Sequence, residues 1–129
     1  MITSESAAVW LNNYVEAWKS YDPEAIRALF SEDARYYHSP YSEPIEGREA
    51  IVANWLNDRD KPGTYTAEYR PLATNGNLVI ANGRSTYYED DGKTFQREYD
   101  NIFLIEFDEL GRCTVFKEWY MAKPGSKKD

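Results

Sequence analysis

The chain carries one cysteine, Cys113, and one histidine, His38, among 129 residues. A single thiol excludes an internal disulfide and a cysteine-rich zinc site. A lone imidazole excludes every metal motif built on two histidines, so no metal and no other cofactor is expected. Basic residues are also scarce, 15 against 22 acidic, for a formal charge of −7. A polyanion meets a repulsive field there, so nucleic acid is not an expected partner. No apolar run approaches the ~20 residues of a membrane span. The opening Met1-Ile2-Thr3-Ser4-Glu5 lacks the basic and apolar regions of a signal peptide. A cytoplasmic protein with no membrane partner is the expectation.

What the chain has in excess is aromatic rings: 11 Tyr, 5 Phe and 4 Trp, 16% of all residues. Rings in that number need a core to fill or a cavity to line. Disorder over most of the chain is excluded with them. The length suits one domain. Its basic cluster, Lys123, Lys127 and Lys128, lies among Pro, Gly and Ser. It reads as a flexible tail, 123–129, after a domain spanning 1–122.

The first half has helical periodicity. Ala7, Leu11, Tyr14, Val15 and Trp18 form an apolar stripe over about 4–20, with Thr3 or Ser4 as cap. Asp22-Pro23 restarts the chain as N-cap and first helical residue, turning Ala25, Ile26, Leu29 and Phe30 inward. Ser31-Glu32-Asp33 ends that helix, and Ala34–Ser39 reads as a Tyr-rich strand. Pro40 and Pro44 mark a loop. Gly47 opens a third helix, about 48–57, with Ile51 and Trp55 on one face.

From Tyr65 the period becomes two. Strands are expected over about 65–73, 78–88, 94–107 and 113–121, joined at Asn75-Gly76, Asp91-Gly92 and Glu109-Leu110-Gly111. Three helices and an antiparallel meander make an α+β domain with helices on one sheet face. On the longest strand the odd positions, Phe95 to Phe107, point inward and most even ones outward. Asn101 falls on the inward side among rings, where an unpartnered amide costs ~1–3 kcal/mol. It must therefore have partners. On the last strand Thr114, Phe116, Glu118 and Tyr120 share one face, and Val115, Trp119 and Met121 the other. Both faces are apolar enough to need cover, the outer one from a second subunit.

The stretches YVEAWKSYDPEAIRALFSEDARYY, PIEGREAIVANW and YDNIFLIEFDELGRCTVFKEWY resemble the NTF2-like superfamily, in its SnoaL-like and ketosteroid-isomerase-like branch. The resemblance implies a cone-shaped, curved antiparallel sheet wrapped around an N-terminal set of three helices. It also implies a pocket between helices and sheet, and a homodimer through the outer sheet face. The fold hosts isomerases, cyclases, hydrolases, dehydratases and binding modules, so it does not choose among them. Carried over from ketosteroid isomerase, the first-helix tyrosine falls on Tyr14 and the base position on His38 or Ser39. The protonated aspartate of its oxyanion hole falls on Phe103, so steroid isomerisation is not expected. In the frame where limonene-epoxide-hydrolase-like members place Arg and Asp, this chain has Arg97-Glu98-Tyr99. Scytalone-dehydratase-like chemistry would use more histidines. A cyclase of the SnoaL type needs a pocket acid or base, a role open to His38.

Two readings stand beside each candidate. His38 is either a general base or a packed strand-end histidine. Tyr14 either donates to a ligand carbonyl or anchors the first helix to the sheet. Asn101 either contacts ligand or ties strands together. Glu118 is either a pocket carboxylate or the ion-pair partner of Arg84 or Arg97, the pair being favoured on desolvation grounds. Trp18, Tyr36, Trp55, Tyr99, Phe103 and Phe116 complete the expected pocket wall. The Glu89-Asp90-Asp91 run reads as a solvated turn and Cys113 as inert. The expected function is proton transfer on a small apolar, carbonyl-containing or polyketide-like molecule: isomerisation, dehydration or cyclisation. His38 would be the base, Tyr14 the donor and Asn101 the orienting group. The alternative is a non-catalytic ligand-binding or dimerisation module.

Overall fold

The computed structural model describes residues 1–128. Helices α1 (Ser4–Ser20) and α2 (Pro23–Leu29) lead into strand β1 (Phe30–Tyr37). A two-residue strand β2 (Ile45–Glu46) and helix α3 (Arg48–Asn57) follow. The chain ends with β3 (Tyr65–Asn75), β4 (Leu78–Tyr88), β5 (Phe95–Phe107) and β6 (Cys113–Ala122). The six strands form one sheet in the order β2-β1-β6-β5-β4-β3.

Local chemistry sets the helix ends. Thr3 caps α1, its hydroxyl accepting from Ser6 N while the Ser6 side chain returns the bond. Tyr21 closes α1 in the left-handed conformation (φ 50°). Asp22 then accepts from Glu24 N to start α2, with Pro23 in the first turn. The three hairpin turns fall where expected, joining β3 through β6 into an antiparallel meander.

Three features depart from expectation. β1 starts at Phe30, because α2 ends at Leu29 and Phe30 is already extended (φ −119°, ψ 146°). It stops at Tyr37, so His38 lies just beyond the strand. The sheet is also mixed: β1 runs parallel to β6, pairing Tyr36 with Phe116, where an all-antiparallel sheet was expected. The short strand β2 is the third, pairing with β1 at Arg35 and Tyr36. Residues 123–128 follow β6 along β5, while Asp129, the end of the expected tail, lies outside the described residues. Lys123 N donates to Glu98 O (2.8 Å) and Lys127 N to Gln96 O (2.9 Å). Lys127 Nζ reaches Glu89 across the hairpin tip (2.6 Å).

The core lies between the helices and the inner sheet face. Leu11, Ile26, Phe30, Ile51, Val79, Phe103, Ile105 and Phe116 are its largest closed apolar side chains. The alternation expected of β5 holds from Arg97 onward, with Asn101, Phe103, Ile105 and Phe107 buried on that face, but Phe95, expected inward, is exposed because the β4–β5 register shifts between it and Arg97. Register shifts interrupt the β3–β4, β4–β5 and β5–β6 ladders, and such bulges increase twist and bend the sheet. The outer face carries Ile102, Leu104, Val115, Trp119 and Met121. Trp119 is 42% and Met121 76% exposed. No helix among the described residues is long and apolar enough to cross a membrane.

Gly83 is the residue the curved sheet tolerates least to lose. It pairs with Tyr69 on one side and Asn101 on the other. A Cβ there would stand 2.0 Å from the Glu68 carbonyl oxygen and 2.6 Å from Tyr69 Cα. Both are backbone atoms and cannot swing aside. Gly83→Ala is expected to cost about 1–3 kcal/mol, as other overpacked sites do, read as a lower urea midpoint. An unchanged midpoint would mean that the β3–β4 ladder shifts to absorb the methyl group.

Candidate functional site

The inner sheet face leaves the core and becomes a cavity of about 350 Å³ under α1 and α3. Its deep end is set by a row of rings. Tyr14 projects from the buried stripe of α1 and Tyr36 from β1, and their hydroxyls share a hydrogen bond of 2.9 Å. Both rings lie nearly parallel to Phe116, at 5.4 and 4.5 Å between centroids. Phe103 packs beside Phe116 and Tyr69 (4.7 and 4.6 Å). Burial raises the pKa of both Tyr14 and Tyr36 well above the usual phenol value, and the nearby Glu118 carboxylate adds to this. The two hydroxyls therefore stay protonated. They are hydrogen-bond donors, not bases.

Beside them is the acidic group of the site. Glu118 sits on the inner face of β6, half-buried, and Asn101 Nδ2 donates to its Oε2 at 2.6 Å. Burial pushes its pKa up to about 7; the Asn101 bond works in the opposite direction. Such a carboxyl exchanges protons near neutrality, as general acid–base chemistry requires. Both side-chain atoms of Asn101 have partners: Ser85 Oγ donates to its Oδ1 (3.1 Å), and its backbone oxygen also accepts from Asn82 Nδ2 (2.9 Å). The requirement read from its position among rings is met.

The mouth is held by the loop after α3. Asp60 Oδ2 accepts from Trp18 Nε1 (3.0 Å), and Asp60 N donates to the Tyr21 hydroxyl (2.8 Å). Trp18 stacks on Tyr65 at 4.4 Å. On the opposite rim the Arg97 guanidinium lies 4.4 Å from the Tyr87 ring centroid, a cation–π contact. His38 is exposed at the edge, with its Nε2 donating to Asn54 Oδ1 of α3 (3.2 Å). Its ring stands 5.1 Å from that of Tyr36.

Of the residues singled out from sequence, Tyr14, Trp18, Tyr36, His38, Trp55, Tyr99, Asn101 and Glu118 border this cavity. Phe103 and Phe116 do not; they are buried beneath its floor. The ion pair favoured for Glu118 is replaced by the Asn101 bond. Arg84 faces outward instead, 3.3 Å from Asp100, because the even positions of β4 share the outer face with those of β5. Sequence reasoning passed over Tyr69, Ser85 and Tyr87, and the rim residues Tyr21, Asn54, Asp58 and Asp60. The three strand residues were within reach: alternation on β3 and β4, continued from β5 across the hairpins, puts them inward. The rim residues carry no comparable signal.

Among the described residues no group of three His, Cys, Asp or Glu side chains is placed to hold a metal ion. No curated protein matches the chain. The pattern of the SnoaL-like domain matches residues 11–116, from the middle of α1 to Phe116 beneath the cavity floor. Helices over one face of a curved sheet, with the cavity between them, agree with that match. The chain belongs to the SnoaL-like domain family, a small-molecule isomerase and cyclase type of family within the NTF2-like superfamily.

Proposed function

We propose that the cavity transfers a proton at a carbon next to a carbonyl group, with Glu118 as proton carrier and the Tyr14–Tyr36 pair as donor to the carbonyl oxygen. The observation that carries this reading is the convergence of these groups on one cavity. Ionised Glu118 takes the α-proton, the C–H bond breaks, and its electron pair becomes the enolate double bond. Negative charge collects on the former carbonyl oxygen, where a preorganised hydroxyl stabilises it. The Tyr14–Tyr36 bond polarises the outer hydroxyl and strengthens it as a donor. Protonated Glu118 then returns the proton to another carbon or to a departing hydroxyl, giving isomerisation or dehydration. An enolate that attacks a second carbonyl gives aldol cyclisation. The proton-transfer role thus moves from His38, exposed at the rim, to a half-buried carboxyl.

The outer sheet face supports a second statement. We infer that a second copy of the chain covers Trp119 and Met121, since these side chains stand exposed beside Ile102, Leu104 and Val115. An apolar face of that kind, beside the Arg84–Asp100 pair, suits a two-fold, self-complementary contact.

Deuterium incorporation from D2O into a panel of cyclic ketones and β-keto esters, followed by proton NMR, tests the chemistry. Wild-type protein should exchange at least one α-position and Glu118→Gln none. Tyr14→Phe should lose about 10²–10³-fold in rate, as removal of one oxyanion donor does. Retained exchange in Glu118→Gln together with loss in His38→Ala would return the base to His38. No exchange with any member of the panel would favour a binding module.

The raised pKa also makes a prediction that needs no substrate. Between the ordinary carboxylate range, ~4.3, and about 7, the folded protein holds a proton that the unfolded chain has released. Stability must therefore fall as pH rises through that window. Melting temperatures at pH 5 and pH 8 should drop further for wild type than for Glu118→Gln; equal drops would contradict the burial argument. For the outer face, sedimentation equilibrium should give a wild-type dimer and a Trp119→Glu monomer. A wild-type monomer at high micromolar concentration would refute the second copy.

A further inference from the structure

One hydrogen-bonded chain crosses strands β4, β5 and β6 beneath the cavity and takes one side chain from each. The Ser85 hydroxyl donates to Asn101 Oδ1 on β5 (3.1 Å). Asn101 Nδ2 donates to Glu118 Oε2 on β6 (2.6 Å). The register makes both links diagonal. Asn101 is directly opposite Gly83 and Tyr120, while Ser85 is opposite Tyr99 and Glu118 opposite Phe103. With no side chain at Gly83, the Asn101 amide has room to lean toward Ser85.

A primary amide is ambivalent. Turned one way it offers Glu118 a donor, and turned by a half-rotation it offers an acceptor. The first orientation suits an ionised carboxyl and the second a protonated one. Solvent has little access to the amide, Asn101 being 2% and Ser85 3% exposed. The choice falls to the group on the far side of the amide. The Ser85 hydroxyl, with its hydrogen directed at Oδ1, holds the nitrogen toward Glu118.

We propose that Ser85 is a positioning residue: through the Asn101 amide it keeps a donor, not an acceptor, aimed at the carboxyl that the functional reading above makes the proton carrier. Without Ser85 the amide is free to turn. A protonated Glu118 then donates to Oδ1, and the carboxyl holds its proton to higher pH. The titratable groups facing Glu118 are the Tyr14 hydroxyl from α1, Tyr36 from β1, Tyr69 from β3 and Tyr87 from β4. Arg97, His38, Asp58 and Asp60 stand around the same cavity. The loss of one serine hydroxyl leaves these groups in place, and burial keeps Tyr69 protonated throughout.

A carboxyl carbon-13 NMR titration tests this, with the Glu118 signal assigned by its loss in Glu118→Gln. Ser85→Ala should raise the midpoint from about 7 by about half a unit or more. Ser85→Thr, which restores a hydroxyl, should bring it back. An unchanged midpoint in Ser85→Ala overturns the proposal. In wild-type protein the Asn101 side-chain amide signals should shift with the same midpoint as Glu118. Amide signals indifferent to that titration overturn it equally, and this measurement needs no variant to fold. Both readouts are independent of turnover. A protein that exchanges no carbonyl α-proton but shows the Ser85 effect would sink the functional reading and leave the positioning of Glu118 standing.

Discussion

Strand β5 keeps one alternation from Arg97 to Phe107, yet its inner face passes from core to cavity along the way. Phe103, Ile105 and Phe107 are buried against the helices, and Asn101, Tyr99 and Arg97 continue the same row under the opening. A period-two strand cannot change face without a bulge. Whatever polar groups the site uses must therefore sit in register with apolar ones that hold the domain together. Asn101 is the first residue past the boundary, and its three-strand network satisfies in the polar half what packing achieves in the apolar half.

The same boundary governs the electrostatics. Tyr14 and Tyr36 stand on the dry side, stacked with Phe116, where burial keeps their hydroxyls protonated. Glu118 stands one residue pair further along β6, where burial raises its proton affinity but the Asn101 amide restrains the rise. Two kinds of acid placed in one gradient of solvation diverge in role: the phenols hold their protons and the carboxyl exchanges its own. No charged partner is required for that separation. The row of rings supplies it by excluding water.

Much of this was legible in the chain because it depends on local signals. The capping residues before α1 and α2, the hairpin glycines and the alternation of β5 each act within a few residues. The pairing of β1 with β6 is of another kind. Nothing near Tyr36 announces that it lies beside Phe116, about eighty positions later, so the mixed sheet and the Tyr14–Tyr36 contact were not readable. Glu118 shows the same limit. Its inward direction followed from alternation, but its partner depended on whether Arg84 shared its face, which only the β4–β5 register decides. His38 drew attention as a residue type, and where β1 stops determined its exposure. The rim around Asp60 belongs to a loop whose course depends on Trp18 and Tyr21 to hold it.

The parallel pairing of β1 with β6 has a consequence for how the molecule comes together. The helices and β1 are made first, but the strand that β1 joins is the last of the sheet. Closing so long a loop carries an entropic cost that local hairpins avoid. The β3–β6 meander can zip up on neighbouring contacts while Phe30 and Tyr36 still wait with an unpaired edge and exposed rings. The cavity floor, shared between β1 and β6, is thus completed at the closing step. A chain held before that step would present an aromatic, strand-forming surface to other chains, and aggregation would compete with the formation of the site itself.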